Sequence, residues 1–205
     1  MNTGLLSGSL LLLLFMAGCS DSSPASAAPV VQAVSQELRE VEWIDLLPED
    51  DLAALMDRPA ILDGIVEGSA ADDMASGLAS QITSDTSLED AAQMQRYQAA
   101  LESTRTRAEL NGVRVRIPGF IVPINFDDQQ RVIEFFLVPF FGACIHVPPP
   151  PPNQIVHVEV EDGFVLESIY DPVWLEGVLF LEQNVNGLGQ SAYSLQLEKR
   201  ELYYD

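Results

Sequence analysis

The sequence has 205 residues, and its apolar fraction of 47% is enough for the core of one ordinary domain with a smaller helical attachment. Ten Lys and Arg stand against 31 Asp and Glu, so the formal net charge at pH 7 is −21. Such a surface repels phosphate groups, which excludes nucleic acid and anionic lipid as partners and favours cations or basic protein surfaces. The alternative is that the acidity serves only solubility.

The first 19 residues, MNTGLLSGSLLLLLFMAGC, are typical of an export signal. The apolar run from Leu5 to Phe15 is too short to cross a bilayer as a helix. It ends in Met-Ala-Gly-Cys, which resembles the bacterial lipobox, so we predict that Cys19 carries a lipid and becomes the mature N-terminus. The alternatives are an uncleaved anchor and a plain signal peptide, because no Lys or Arg precedes the apolar run. Ser20 gives no signal for inner-membrane retention, which favours the outer membrane.

The segment that follows the lipobox has little to bury. Residues 20–36 are rich in Ser, Ala and Pro, and this composition predicts a flexible tether between the lipid and the folded domain. No later run is long enough for a transmembrane helix. We therefore expect a soluble domain that faces the periplasm and is held at a membrane surface.

Residues 37–110 are predicted to be mostly helical. Pro48 and the three acidic residues after it suit the first turn of a helix, where negative charge meets the helix dipole. A second helix is predicted from Ser87 to about Leu110, with Asn111-Gly112 as its left-handed stop. The expected buried face of the first helix consists of Leu52, Leu55 and Met56.

From residue 111 to residue 205 the apolar spacing changes to the alternation of strands. Turn residues such as Asp162-Gly163 and Asn186-Gly187 separate the alternating runs. The chain is thus predicted to be α+β, with a helical segment followed by a small five-stranded barrel or curled sheet, for which the oligonucleotide-binding (OB) barrel is one candidate. The predicted strands are the run from Val113 through Ile117, Arg131–Val138, Gln154–Val160, Val173–Glu182 and Ser191–Glu198.

The stretch 142–160, GACIHVPPPPPNQIVHVEV, concentrates the residues that bind soft metals. It contains both histidines of the chain, His146 and His157, and the cysteine other than Cys19, Cys144. Thiolate and imidazole are the ligands that zinc and copper prefer. An exported chain whose other cysteine is lipidated offers no disulfide partner for Cys144. The stretch therefore predicts a metal site.

Strand alternation predicts which way these side chains point. Val156, Val158 and Val160 share one face, which should be the core, so His157 lies on the opposite face with Glu159. If the prolines fold the two runs back on each other, positions 144 and 157 lie nearly opposite and both reach one metal. The predicted zinc ligands are Cys144, His146, His157 and Glu159.

Other interpretations of this stretch stay open. Cys144 is a buried core residue in one of them, with His146 as its hydrogen-bonded neighbour. In another it is the nucleophile of a thiol enzyme with a histidine base. Three protein ligands would leave an open position, which suits a carrier that releases its metal better than a structural site.

The proline run between the histidines predicts a stiff loop in polyproline II conformation. Such a loop either sets the geometry of the metal ligands or docks onto a transporter or another envelope partner. The predicted docking loop consists of Pro148, Pro149, Pro150, Pro151, Pro152, Asn153 and Gln154.

The segment from Val115 to Val158, with IPGFIVPI, FFLVPFFGACIHVPPPP and NQIV, resembles a family of proteobacterial exported proteins known as domain of unknown function DUF3299. The opening Trp43-Ile44-Asp45-Leu46-Leu47 and the run from Val173 to Gly177 fit the same family. Its members are often encoded beside macrolide-exporter-like ABC transporters in zinc-responsive gene clusters. The resemblance implies a role in zinc uptake or envelope zinc homeostasis. Together with the lipobox and the metal-binding stretch, it leads us to predict a lipoprotein that binds zinc as an accessory to metal uptake or homeostasis. The alternative is an interaction lipoprotein without metal that docks through its proline loop.

Overall fold

The computed structural model describes residues 37–63, 87–142 and 150–204. Cys19 and the tether lie outside these ranges, as do Cys144, His146, Pro148 and Pro149. Within the described ranges, no helix is long and apolar enough to cross a membrane. The helices are α1 (Glu49–Met56) and α2 (Leu88–Leu101), with short 3-10 turns at Trp43–Leu46, Ala60–Leu62, Ala108–Leu110 and Pro152–Gln154. The strands are β1 (Arg39–Glu40), β2 (Val113–Phe126), β3 (Val132–Val138), β4 (Val156–Phe164), β5 (Val173–Phe180), β6 (Asn184–Asn186), β7 (Gly189–Ser191) and β8 (Tyr193–Leu202).

Five of these strands close into a mixed barrel, which confirms the α+β prediction. The order around the barrel is β2-β3-β4-β8-β5, and β5 pairs again with β2. The 14-residue β2 serves both neighbours, because residues 113–119 pair with β5 and residues 120–126 pair with β3. Strands β4 and β8 run parallel, β1 adds to the edge of β2, and β6 and β7 form a separate hairpin.

Alternation along the strands fills the barrel with branched and aromatic side chains. Val115 and Ile117 point inwards from β2, and Val156 and Val158 point inwards from β4, all with no exposed surface. The helical segment shares this core rather than forming its own, since Val41, Leu46 and Leu110 belong to the same cluster. The other buried members are Ile121, Val132, Phe135, Leu137, Val173, Leu175, Leu179, Ala192, Tyr193 and Leu195.

The first helix differs from its prediction in the face that it buries. Met56 is 80% exposed, and the buried residue of α1 is Asp51. The Asp51 carboxylate accepts hydrogen bonds from Ser103 Oγ at 2.6 Å and from Asn153 Nδ2 at 3.2 Å, and it pairs with Arg105. Because a buried charge must be paired and hydrogen-bonded, these polar partners determine which side of the helix faces inwards.

The second helix ends earlier than predicted. Helix α2 begins after Ser87, whose hydroxyl accepts from the Asp90 N–H, and ends at Leu101. The chain then extends, because Ser103 turns towards Asp51 and the Arg107 N–H donates to the buried Tyr193 hydroxyl at 2.8 Å. That phenol donates in turn to the Leu46 carbonyl at 2.7 Å, and burial raises the pKa of Tyr193 to about 12, so it stays protonated.

Gly112 has a positive φ of 72°, which is the left-handed conformation predicted for it. It follows the 3-10 turn Ala108–Leu110 rather than the end of α2. The Gly112 N–H donates to the Leu179 carbonyl at 2.8 Å, which leads the chain into the pairing of β2 with β5.

We expect Gly177→Ala to destabilise the barrel, because strands β5 and β8 approach closely at this position. A Cβ at residue 177 would lie 2.2 Å from the Gln196 carbonyl oxygen, beside the bulge in the β5–β8 pairing. The free energy of unfolding should fall by about 1–3 kcal/mol, measured by denaturant titration. Gly187→Ala is the matched control, since a Cβ there meets no atom within 4 Å, and it should change stability by less than ~0.5 kcal/mol. Equal effects of the two substitutions would contradict this packing.

Candidate metal centre

His157 lies on the outer face of the barrel, as the alternation of β4 predicts. Its cross-strand neighbours are Phe136 on β3 and Ser194 on β8. Although it points away from the core, the residue is only 6% exposed. The Phe136 ring contacts the imidazole edge-on, with ring centroids 5.9 Å apart. The site therefore begins with a desolvated imidazole that packs against an aromatic ring on the outer face.

Two carboxylates approach the same nitrogen of this imidazole. Glu134 on β3 places Oε1 2.9 Å from His157 Nε2, and Glu159 on β4 places Oε1 4.0 Å from it. These neighbours follow from the strand register, in which Glu134 is opposite Glu159 and diagonal to His157. The other carboxylate oxygen of Glu134 accepts a hydrogen bond from Asn125 Nδ2, which orients the group.

We call Glu134, His157 and Glu159 the outer-face triad. One ligand atom from each residue lies within 4.8 Å of the other two. In a tetrahedral site with metal–ligand bonds of about 2.0–2.1 Å, neighbouring ligand atoms are ~3.3 Å apart. The separations of 2.9 and 4.0 Å from His157 Nε2 lie on either side of that value, so small side-chain adjustments would place the atoms around one ion. One imidazole and two carboxylates suit zinc and also harder ions such as manganese.

His157 and Glu159 of the triad line an open cleft of about 340 Å³. Two of the cleft carboxylates are Glu159 and Glu182, the latter held by a 3.0 Å hydrogen bond from the Ser194 hydroxyl. None of the described residues that line the cleft is Lys or Arg. A cation is thus the charge that would balance these carboxylates.

The structure brings together two of the four predicted ligands and adds one that was not predicted. His157 and Glu159 are neighbours, and the third member is Glu134. The signal for Glu134 was present in the sequence, because it alternates with Phe135 on a predicted strand and must point outwards. What the sequence lacks is the register that places β3 beside β4.

The predicted pairing of position 144 with position 157 is wrong in register. Both strand neighbours of His157 are already taken, by Phe136 and by Ser194. Cys144 and His146 lie outside the described residues, so their part in metal binding stays a prediction.

The described part of the predicted docking loop, from Pro150 to Gln154, packs into the protein at three positions, whereas Pro152 and Gln154 are half-buried. Pro150 and Pro151 are buried, and Asn153 has no exposed surface. The Asn153 amide donates to Asp51 and to the Arg105 carbonyl, the latter at 3.1 Å. Gln154 donates to the Trp43 carbonyl. These amide N–H groups are therefore satisfied inside the fold, and docking by the other residues of the loop stays a prediction.

Comparison with known proteins places the chain in a family. The family model described as "Protein of unknown function (DUF3299)" matches residues 43–202. The chain is also 30% identical to a DUF3299 family protein from Pseudomonas aeruginosa PAO1 with a crystal structure at 2.45 Å resolution. The two structures superpose with a TM-score of 0.56, over 82% of this chain and 98% of that chain. Among curated proteins, no match was found. The chain therefore belongs to the DUF3299 family.

Proposed function

We propose that this protein is a periplasm-facing lipoprotein that binds zinc or a similar transition metal as an accessory to metal uptake or homeostasis. The observation that carries the proposal is the outer-face triad of Glu134, His157 and Glu159, in which a buried imidazole meets two carboxylates beside an acidic cleft. The anchoring part of the proposal rests on the lipobox-like end of residues 1–19.

The negative charge of the triad carboxylates favours a cation-binding role for the triad over a purely structural role. Glu134 is largely covered, with 18% of its side chain exposed, and its carboxylate lies beside the nearly buried imidazole of His157. Glu134 is hydrogen-bonded to His157 and accepts from Asn125, but no Lys or Arg among the described residues forms an ion pair with Glu134 or Glu159. A partly desolvated carboxylate such as Glu134 is stabilised by a nearby positive charge. A divalent ion would compensate both carboxylates and use the imidazole nitrogen as a third ligand.

The number of ligands favours a site that exchanges its metal. A structural zinc site closes with four protein ligands, whereas three protein ligands leave a position for water or for another donor. Glu159 has 75% of its side chain exposed, so one ligand can leave without opening the barrel. These features suit a carrier that passes its metal to a partner, such as an ABC transporter or another envelope protein.

We expect His157→Ala and Glu134→Gln each to weaken zinc binding by at least ~10-fold, which corresponds to about 1.4 kcal/mol. Calorimetric titration of the tag-free soluble domain with zinc measures this change. Glu161→Gln is the matched control, since Glu161 is exposed on the same strand but outside the triad, and its affinity should stay within about twofold of wild type. Unchanged affinity in both triad variants would refute the site.

Two variations of that titration, a change of pH and the replacement of Cys144, distinguish which residues bind the metal. A histidine ligand must be neutral to bind metal, so affinity should fall at acidic pH. A Cys144 ligand would release about one additional proton near pH 7, because the free thiol pKa is ~8.5. If Cys144→Ser leaves affinity and proton release unchanged, the outer-face triad binds the metal without Cys144.

We expect Cys19→Ser to abolish lipid attachment, because the lipid is joined to this thiol. Labelling of cells with a fatty-acid analogue should mark the wild-type protein and leave the variant unmarked. Cys144→Ser is the control and should be labelled like wild type. Equal labelling of wild type and Cys19→Ser would rule out this anchor without affecting the metal site.

A further inference from the structure

The wall of the barrel is open between β4 and β8. Their pairing consists of Val156 with Tyr193 and His157 with Ser194, and no further pair joins the described residues of these strands. On its other side, β8 pairs with β5 as far as Leu202. Residues 195–202 therefore present a strand edge whose outward N–H and C=O groups have no strand partner in the part of the chain that the structure describes.

A bulge in β4 produces this opening. Between the pairs Val132–Phe164 and Glu134–Glu159, β3 contributes one residue, Ile133, where β4 contributes four. Gly163 holds the bulge against β3, since a Cβ there would lie 2.8 Å from Ile133 Cγ2 and 3.1 Å from the Val132 carbonyl oxygen. The gap is thus a built feature of the strand pair.

The gap forms a groove of about 1030 Å³ that ends at the contact between Arg200 and Phe164. The Arg200 guanidinium lies 4.3 Å from the centre of the Phe164 ring and joins the two strands there. Val160 and Leu197 line the groove and are only partly buried, although they pack against the core. The length from Ser194 to Arg200 would hold an extended segment of about five residues at ~3.3 Å per residue.

The rim of the groove is acidic. Lys199 pairs with Glu201 at 2.8 Å, and the Arg200 guanidinium packs on the face of the Phe164 ring. Both basic groups of the groove therefore have partners of their own. The tether at residues 20–36 contains no Lys or Arg, and a second copy of this chain carries the same net charge of −21. The occupant that complements the rim is a basic segment of another protein. The rim carboxylates are Glu134, Glu159, Glu161, Asp162 and Glu198, of which Glu198 is paired with Arg114 and Glu134 is hydrogen-bonded to His157.

We propose that this groove binds an extended, Lys- or Arg-containing segment of a partner protein, which adds as a strand along the free edge of β8. Main-chain hydrogen bonds to β8 supply affinity, and alternate side chains meet the apolar floor and the acidic rim. The proposal does not require a bound metal, although Glu134 and Glu159 belong to both the groove and the outer-face triad.

The test uses an acetylated and amidated hexapeptide of alternating Lys and Val, in the presence of a metal chelator so that zinc plays no part. Isothermal titration calorimetry gives its Kd for the purified protein. Glu161→Lys combined with Asp162→Lys should weaken binding at least ~10-fold. The control is Asp128→Lys combined with Glu167→Lys, two exposed acidic residues outside the groove with the same change in net charge. The control should stay within about twofold of wild type.

A second arm examines the strand hydrogen bonds. The same peptide with alternate amides N-methylated keeps its charge but loses the donors that a strand edge requires, and it should bind at least ~10-fold more weakly. Amide hydrogen exchange should show new protection at residues 195–201. Equal binding of the methylated peptide would overturn strand addition. Equal weakening by the groove and control substitutions, or no binding by wild type, would overturn the groove as the site.

Discussion

The short parallel pairing of β4 with β8 is the contact on which the rest of the structure depends. It joins Val156 to Tyr193 and His157 to Ser194, and it closes the barrel between strands that otherwise diverge. Because side chains alternate along a strand, this one contact places Val156 in the core and His157 on the outer face. A slip of one residue would exchange them and bury the imidazole in the apolar interior. Its shortness also leaves the groove beside β8 open.

The buried polar contacts before β4 explain how so short a pairing keeps its register. The turn Pro152–Gln154 precedes the strand, and the Ala192 N–H donates to the Pro152 carbonyl at 2.8 Å, just before β8 begins. Asn153 ties the same turn to Asp51 in α1 and to the Arg105 carbonyl. The helical segment thus acts as a clamp on the start of β4. The described prolines are part of this clamp, because they restrict the backbone where it enters the strand.

The features that follow from local periodicity were predictable from the sequence. The five barrel strands, the inward valines of β4 and the outward direction of His157 all depend on alternation within one strand. Glu134 was missed because its closeness to His157 depends on the register between two strands, which is set by tertiary packing. The burial of Asp51 in place of Met56 was missed for a similar reason. Its partners Ser103 and Asn153 are 52 and 102 residues away in the chain, so no local pattern reveals them.

The central claim, that the outer-face triad binds a metal, is tested most directly by anomalous X-ray scattering. Crystals of the tag-free domain with one equivalent of zinc, measured on both sides of the zinc absorption edge, locate the ion without reference to any assumed ligand. A zinc ion bound by the outer-face triad gives an anomalous peak about 2.0–2.2 Å from His157 Nε2 and from an oxygen of Glu134 or Glu159. A fully occupied zinc peak that contacts none of these three residues would contradict it.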